Sequence, residues 1–327
     1  MARPIVVLNC ARNYTPGWLE QEMPRLVAEC EVRLTEAKDG PDLARELADA
    51  DALVARRDYV GRATLELTPR LRGIVTPGVG VEKVDVAAAT ELGIVVANSP
   101  GNSVTVAESA ILLMLALAKQ LPMWIVAART STEPTSAMRG MELRGKTLGI
   151  VGLGRIGRLT AELGRAFGMR VLGCDPYVAP DELRRRETEP VSLDQLLAQS
   201  DVITVHTPLT TETQHIINAE TIAKMKAGVV FVNTCRGKTQ DERALFEGLT
   251  RGRIKAAGLD VWEEEPTPVD NPLLNLETVV CTSHIAGVSD EANRNIAVTV
   301  VGEMLRVLRG EKPQVLGNPP SGPALPT

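Results

Sequence analysis

Short apolar runs alternate with helical patterns along most of the chain. Residues 5–8, 52–54, 74–75 and 94–96 are rich in Val and Ile and predict buried strands. Between them, residues 17–29, 41–48 and 84–92 carry apolar positions at helical spacing. Residues 104–118 are almost wholly apolar, with Glu108 as their one charge, which predicts a helix buried on all sides between domains or subunits. Residues 129–140, rich in Thr and Ser, read as an exposed connector. A second series then begins, with strands expected at 148–151, 170–174, 202–205, 229–232, 257–261 and 279–281 and a helix at 155–167. Strand alternating with helix predicts parallel sheets covered by helices, an α/β fold. The 327 residues suffice for two domains at about 150 residues each. The second series alone makes one α/β unit of about 190 residues. Residues 317–327, rich in Pro and Gly, are expected to form a loose tail.

Composition removes several classes of function. Lys plus Arg is 36 against 41 for Asp plus Glu, and the net charge of −5 gives no basic footprint for nucleic acid or an anionic membrane. The longest uninterrupted apolar run, residues 110–118, is far short of the roughly 20 residues that span a bilayer. The apolar run near the N-terminus is too short for a signal-peptide core and is expected to be a first strand. Cys10, Cys30, Cys174, Cys235 and Cys281 include no C-x-x-C pair, so neither a disulfide framework nor a metal site is expected, and the expected setting is a reducing cytoplasm. His206, His215 and His284 are the only imidazoles available for proton transfer near neutral pH.

Gly152-Leu153-Gly154-Arg155-Ile156-Gly157 is a G-x-G-x-x-G directly after a predicted strand and at the start of a predicted helix, the context in which this spacing binds a dinucleotide. The first glycine permits the tight turn, the second lets backbone approach a pyrophosphate, and the third allows close helix–strand packing. The helix N-terminus offers free N–H groups to the anion. Asp175 ends the next strand, 175 − 157 = 18 residues after the last glycine, close to the roughly 20 expected for a ribose-binding acid. A carboxylate there accepts from a 2′-hydroxyl and repels a 2′-phosphate, so the predicted cofactor is NAD rather than NADP. The alternatives are a plain tight turn and a solvated strand end. Arg184-Arg185-Arg186, nearby in sequence, read as a solvated helix face or as a 2′-phosphate site.

Three further segments each place a polar side chain just after a predicted strand, where open α/β sheets bind ligands. They are Asn233-Thr234-Cys235-Arg236-Gly237, Asp260-Val261-Trp262-Glu263-Glu264-Glu265-Pro266 and Ser283-His284-Ile285-Ala286-Gly287. Upstream stand Gly78-Val79-Gly80 with Val84-Asp85, and Asn98-Ser99-Pro100-Gly101-Asn102-Ser103-Val104 with Ala107-Glu108. With the glycine loop, these motifs span most of residues 50–310, and in combination the chain resembles the D-isomer-specific 2-hydroxyacid dehydrogenase family.

The resemblance implies a Rossmann-type doubly wound parallel-sheet cofactor domain over residues 100–289. It also implies a flavodoxin-like α/β substrate domain built from 1–99 and 290–327. Arg236, Glu265 and His284 match the family's catalytic triad. Arg236 suits bidentate capture of a carboxylate, His284 is placed as acid/base, and Glu265 would hold the imidazole and favour its protonated form. By the same resemblance His206, Thr207 and Pro208 lie on a loop over the cofactor, Thr234, Cys235 and Gly287 line its site, and Asp260 binds the nicotinamide amide. A redox role for Cys235 is the sharper alternative to a packing role. Val79 and Gly80 would offer N–H groups to the substrate carboxylate, with Asn102 nearby, and helix 104–118 would form a homodimer contact. His215 has no matching role.

The implied activity is the NAD-dependent interconversion of a D-2-hydroxy acid and a 2-keto acid. Arg57 is expected either to meet a distal phosphate, as in the phosphoglycerate dehydrogenases the chain broadly resembles, or to be an exposed arginine without a ligand. The expected form is a short one without a regulatory domain. Glyoxylate, hydroxypyruvate, formate and phosphite stand beside 3-phosphoglycerate as substrates to weigh. Relatives of this fold that act as NAD-sensing binding proteins or corepressors supply a non-enzymatic alternative. The chain departs from the family pattern at Lys238-Thr239-Gln240, at Ser283 where proline is usual, and at Val288-Ser289-Asp290; residues 131–139 also lack the usual Gly-x-Trp.

Overall fold

The computed structural model describes residues 2–9, 16–56, 58–133, 135–315 and 317. Cys10, Arg57 and all but Gly317 of the expected C-terminal tail lie outside the described residues. The chain divides into two compact units, Met1–Asn102 with Ser289–Thr327, and Ser103–Val288.

The first unit is built on five parallel strands: β1 (Ile5–Asn9), β2 (Glu31–Thr35), β3 (Ala52–Val54), β4 (Gly73–Pro77) and β5 (Val95–Ser99). Their order, β2-β1-β3-β4-β5, is the flavodoxin-type winding. Successive strand residues point to opposite faces, so Val6, Leu8, Val54 and Val75 pack on one side while Val7, Leu53, Ile74 and Val96 pack on the other. The second face carries α3 (Pro41–Leu47), α4 (Arg62–Glu66) and α5 (Val86–Glu91). The first is covered by α1 (Pro16–Glu22), α2 (Pro24–Glu29) and the C-terminal helix Asp290–Leu308, which contributes Ala297, Val300, Val301, Met304 and Leu305.

Two features of this unit differ from the sequence pattern. The single helix expected over 17–29 breaks at Met23, because Pro24 cannot donate to a continuing helix and instead starts a new one at its first turn. Strand β2 was not expected, since Glu-Val-Arg-Leu-Thr is a half-exposed edge strand without a Val/Ile run.

The second unit opens with α6 (Ser103–Ala118) and α7 (Leu121–Thr130). Its sheet comprises β6 (Thr147–Val151), β7 (Arg170–Cys174), β8 (Glu189–Pro190), β9 (Val202–Val205), β10 (Val229–Asn233), β11 (Ile254–Leu259) and β12 (Val279–Cys281). All pairs are parallel, in the order β12-β11-β10-β9-β6-β7-β8. This is the dinucleotide-binding winding with one further strand, and the order reverses between β6 and β9. The helices α8 (Arg155–Ala166), α9 (Pro180–Arg185), α10 (Leu193–Gln199), α11 (Ala219–Lys224) and α12 (Glu242–Thr250) complete the unit, which makes the C-terminal helix α13.

Helix α6 packs against α8, β10 and β11 within its own unit, leaving Val104 and Leu112 exposed. The larger exposed apolar surface is on α7, where Leu121, Met123, Trp124, Ile125 and Val126 all face solvent. Among the described residues no single helix is long and apolar enough to cross a membrane.

Candidate active site

The carboxyl ends of β6 and β9, where the strand order reverses, carry the glycine loop and His206. Gly152 has φ of +90°, and a side chain there would sit 2.8 Å from the His206 backbone. A side chain at Gly157 would collide with the Gly152 carbonyl, so helix α8 can approach its strand only with glycine there. Gly154 is different. Its backbone is extended, and a side chain would point into open space. Nothing in the chain's own packing requires glycine at this position, as is expected where a ligand's phosphates lie against backbone. Arg155, exposed, and Ile156, half-buried, open α8, whose N-terminus carries no side-chain cap.

Asp175 follows β7 and is anchored beside this loop, accepting from the Leu153 N–H at 2.7 Å and the Tyr177 N–H at 2.9 Å. Arg184, exposed on α9, pairs with Asp181 at 2.7 Å.

His206 is buried, with Nε2 3.1 Å from Thr204 Oγ1, and burial pushes its pKa down to about 3, so the ring is neutral. Its Nδ1 and the hydroxyls of Thr207 and Thr234 are buried with no hydrogen-bond partner among the described residues. Buried polar atoms are ordinarily paired. Three orphans at the ends of β9 and β10, on the strands that continue from the one carrying the glycine loop, fit a bound dinucleotide. Pro208, next in the chain, is exposed.

Arg236 follows β10. A side chain at Gly237 would collide with the Trp262 carbonyl, so the Arg-Gly pair turns tightly against the β11 loop. Arg236 Nη1 donates to the Cys235 carbonyl at 2.6 Å. Of the three consecutive glutamates after β11, only Glu265 meets an imidazole in the expected way: its Oε2 lies 2.7 Å from His284 Nδ1, and its Oε1 accepts from the Trp262 N–H at 3.1 Å. Glu263 instead exchanges hydrogen bonds with Glu242 at the start of α12 and lies 3.4 Å from His215 Nε2.

The hydrogen bond that His284 donates to Glu265 raises the His284 pKa above its ordinary value, against burial and the Arg236 charge. Burial alone would raise the Glu265 carboxyl, but the His284 hydrogen bond and charge, the Trp262 N–H and Arg236 bring it below its usual range. Each partner thus favours the charged form of the other, the arrangement an acid/base pair needs.

His284 holds φ of +57°, uncommon for a residue other than glycine. Asp260 keeps it there. The His284 N–H donates to the Asp260 carbonyl at 2.7 Å. The Asp260 carboxylate accepts from Thr282 Oγ1 at 2.6 Å, Ile285 N at 2.8 Å and Ala286 N at 2.9 Å, just ahead of Gly287. Asp260 is 1% exposed, so the structure gives it this loop to hold in addition to the amide contact expected from the resemblance.

Burial pushes the Cys235 thiol pKa up, and its Sγ is bonded to Asn233 Oδ1 at 3.1 Å. A buried, protonated thiol of this kind suits packing rather than redox attack. In the first unit, Asn98 Nδ2 holds the Val79 carbonyl and Thr76 Oγ1 holds the Gly80 carbonyl at 2.9 Å. Asn102 Oδ1 is buried without a partner among the described residues.

Sequence reasoning missed Asn233, Thr239, Gln240 and Trp262. A signal was present for the first: an Asn directly after Val-Val-Phe-Val is a polar residue at the end of a fully buried strand.

Residues 111–286 match a family model described as D-isomer specific 2-hydroxyacid dehydrogenase, NAD binding domain. The chain is similar to a D-3-phosphoglycerate dehydrogenase of Methanocaldococcus jannaschii, 42% identical over 300 residues that cover 91% of this chain and 57% of that protein. It is similar to a hydroxypyruvate reductase of Thermotoga maritima, 42% identical over 272 residues covering 82% of this chain and 88% of that protein. The chain thus spans little more than half the length of the first relative and most of the second. Among solved structures, a D-lactate dehydrogenase from Aquifex aeolicus, complexed with NAD and lactic acid, is 30% identical with a TM-score of 0.84, covering 97% of this chain and 100% of that one.

Proposed function

Because this chain belongs to the D-isomer-specific 2-hydroxyacid dehydrogenase family, we propose that it interconverts a D-2-hydroxy acid and a 2-keto acid with NAD. The observation that carries this reading is the 2.7 Å His284–Glu265 contact in the same unit as Arg236 and the glycine loop.

Bound NADH supplies the hydride that reduces the keto carbon. Arg236, permanently charged and planar, grips the substrate carboxylate. His284, protonated and hydrogen-bonded through Nδ1 to Glu265, gives the proton on Nε2 to the carbonyl oxygen as it becomes a hydroxyl. In oxidation the neutral ring takes that proton back. Glu265 keeps the ring oriented and favours its charged form. Gly152, Gly154, Arg155, Ile156 and Gly157 would hold the cofactor's pyrophosphate and Asp175 its ribose, with His206, Thr207, Pro208, Thr234, Cys235, Asp260 and Gly287 completing the site. For the first unit the reading makes a separate claim, that Val79 and Gly80 N–H groups and Asn102 bind a carboxylate. Arg57 would meet a distal phosphate.

We read the second unit as the cofactor domain and the first as the substrate domain. The protein acts as a homodimer in the cytoplasm, where free thiols such as the four described cysteines persist. The exposed Val104 and Leu112 of α6, the helix expected at the contact, together with the exposed apolar residues of α7, support the dimer.

The test is NADH consumption over glyoxylate, hydroxypyruvate, pyruvate and 3-phosphohydroxypyruvate, with NADPH in parallel. Turnover with a kcat/KM preference for NADH is expected. A preference for NADPH would overturn the role of Asp175. Silence over the whole panel, with NADH still bound, would instead favour an NAD-sensing binding protein. Arg57→Ala should weaken only the phosphorylated substrate.

A further inference from the structure

We propose that Asn233, Thr239 and Gln240 form a buried polar bracket that fixes the backbone of Arg236, and that Thr239 is a positioning residue for carboxylate binding. The inference rests on the proposed role of Arg236. Three donors converge on the Arg236 carbonyl oxygen: the Thr239 hydroxyl at 2.7 Å, the Thr239 N–H at 3.1 Å and Asn233 Nδ2 at 3.1 Å. The same Asn233 Nδ2 reaches Thr239 Oγ1 at 3.1 Å and Gln240 Oε1 at 3.0 Å. Its Oδ1 receives the Cys235 N–H at 3.0 Å and the thiol at 3.1 Å. One amide therefore ties both neighbours of the Arg236 peptide to the end of β10.

All three bracket residues are 0% exposed. Burying polar groups is unfavourable unless their bonds are made, and apolar residues would fill the same volume without that demand. Residues 238–240 are where the chain departs from the small or apolar residues usual in the family it resembles. Thr239 and Gln240 thus replace shape-filling contacts with directional ones, aimed at the peptide that carries Arg236. Gln240 Nε2 has no partner among the described residues, so the stronger link is through Thr239.

The opposite side of the turn is closed as well. Gly237 lies against the Trp262 carbonyl, and the Trp262 N–H holds Glu265 Oε1. The Arg236 turn is trapped between the bracket and the loop that carries Glu265. An arginine has a long, flexible side chain, and anchoring its root reduces the freedom lost when it binds a ligand.

The probe is oxalate, a planar dicarboxylate shaped like a 2-keto acid, titrated by calorimetry into the NADH-loaded protein. KM and kcat for the best 2-keto acid are measured alongside. Thr239→Val keeps the shape and removes the hydroxyl; Thr239→Ser keeps the hydroxyl. Thr239→Val is expected to weaken oxalate and raise KM about tenfold, with NADH affinity unchanged, and Thr239→Ser to restore both to within about threefold. Equal oxalate affinity in Thr239→Val and wild type, failure of Thr239→Ser to restore it, or a parallel fall in NADH affinity would each overturn the proposal. If Thr239→Val does not fold, Gln240→Met serves: a loss of about threefold in oxalate affinity supports the bracket and no loss overturns it. A wild type that binds no oxalate overturns it too. A wild type without turnover on any 2-keto acid but with this oxalate pattern keeps the bracket and removes the dehydrogenase reading.

Discussion

At the scale of single residues, the proposed proton chemistry rests on His284 and its carboxylate partner. His284→Gln keeps the size and hydrogen-bonding of the side chain but cannot exchange a proton near neutrality, so kcat should fall at least ~100-fold; near-full activity would remove the acid/base assignment. Reduction needs the imidazolium. Because Glu265 raises the His284 pKa, kcat/KM for the keto acid should be flat at low pH and fall as pH rises through a value above 6.5. Glu265→Gln removes the group that raises it and leaves burial to lower it, so the falling limb should move to lower pH. Gly154 offers a different separation. The Cβ of an Ala there meets only open space in the protein, so for Gly154→Ala melting temperature should hold while NADH affinity drops at least about tenfold, ~1.4 kcal/mol. The Arg, Glu and His were legible because each follows a strand within a recognisable run. The bracket beneath Arg236 was not, because Thr239 and Gln240 look like ordinary polar loop residues until burial is known.

Among the elements, α7 carries the clearest consequence. Exposed apolar area of this extent is unusual on a lone soluble unit unless something covers it. Val126→Glu places a charge at its most exposed apolar position, 60% accessible, and should convert a dimer to a monomer in light scattering without loss of helix content. A wild type already monomeric at micromolar concentration would remove the dimer. The strand-helix alternation was readable wherever Val and Ile clustered, as in β1, β6, β9 and β10. It failed at the margins. β2 and the two-residue β8 sit at sheet edges, where one side needs no apolar cover, and α7 carries Pro122 in its first turn, a position where proline is tolerated although in the sequence it looks like a break. α6 was recognised as buried, and within its own unit it packs on β10, β11 and α8; periodicity reports burial without naming what does the burying.

For the molecule as a whole, ligand binding should be visible as stability. NADH at 100 times its Kd contributes ~2.7 kcal/mol to the folded state. In a unit of this size that corresponds to a rise of about 5–10 °C in its calorimetric transition; no shift under saturating NADH would contradict the cofactor assignment. Both windings follow from sequence pattern only as far as parallel sheets; their strand orders had to be seen, because β-branched runs do not state which neighbour they pair with. One arrangement reaches beyond the folded state. Helix α13 covers a face of the first sheet, yet it lies at the far side of the second unit in the chain. During synthesis, β1 to β5 leave the ribosome with that face covered only by α1 and α2, and wait for α13 while the intervening residues are translated, about 10–40 s at ordinary elongation rates. Through that interval Val75 and Ala97, on the strands that α13 packs against, lack their covering helix and are open to chaperones and to other nascent chains. The nested unit, complete in itself, can fold first, which would leave the N-terminal sheet the last part of the protein to become resistant to proteolysis on the ribosome.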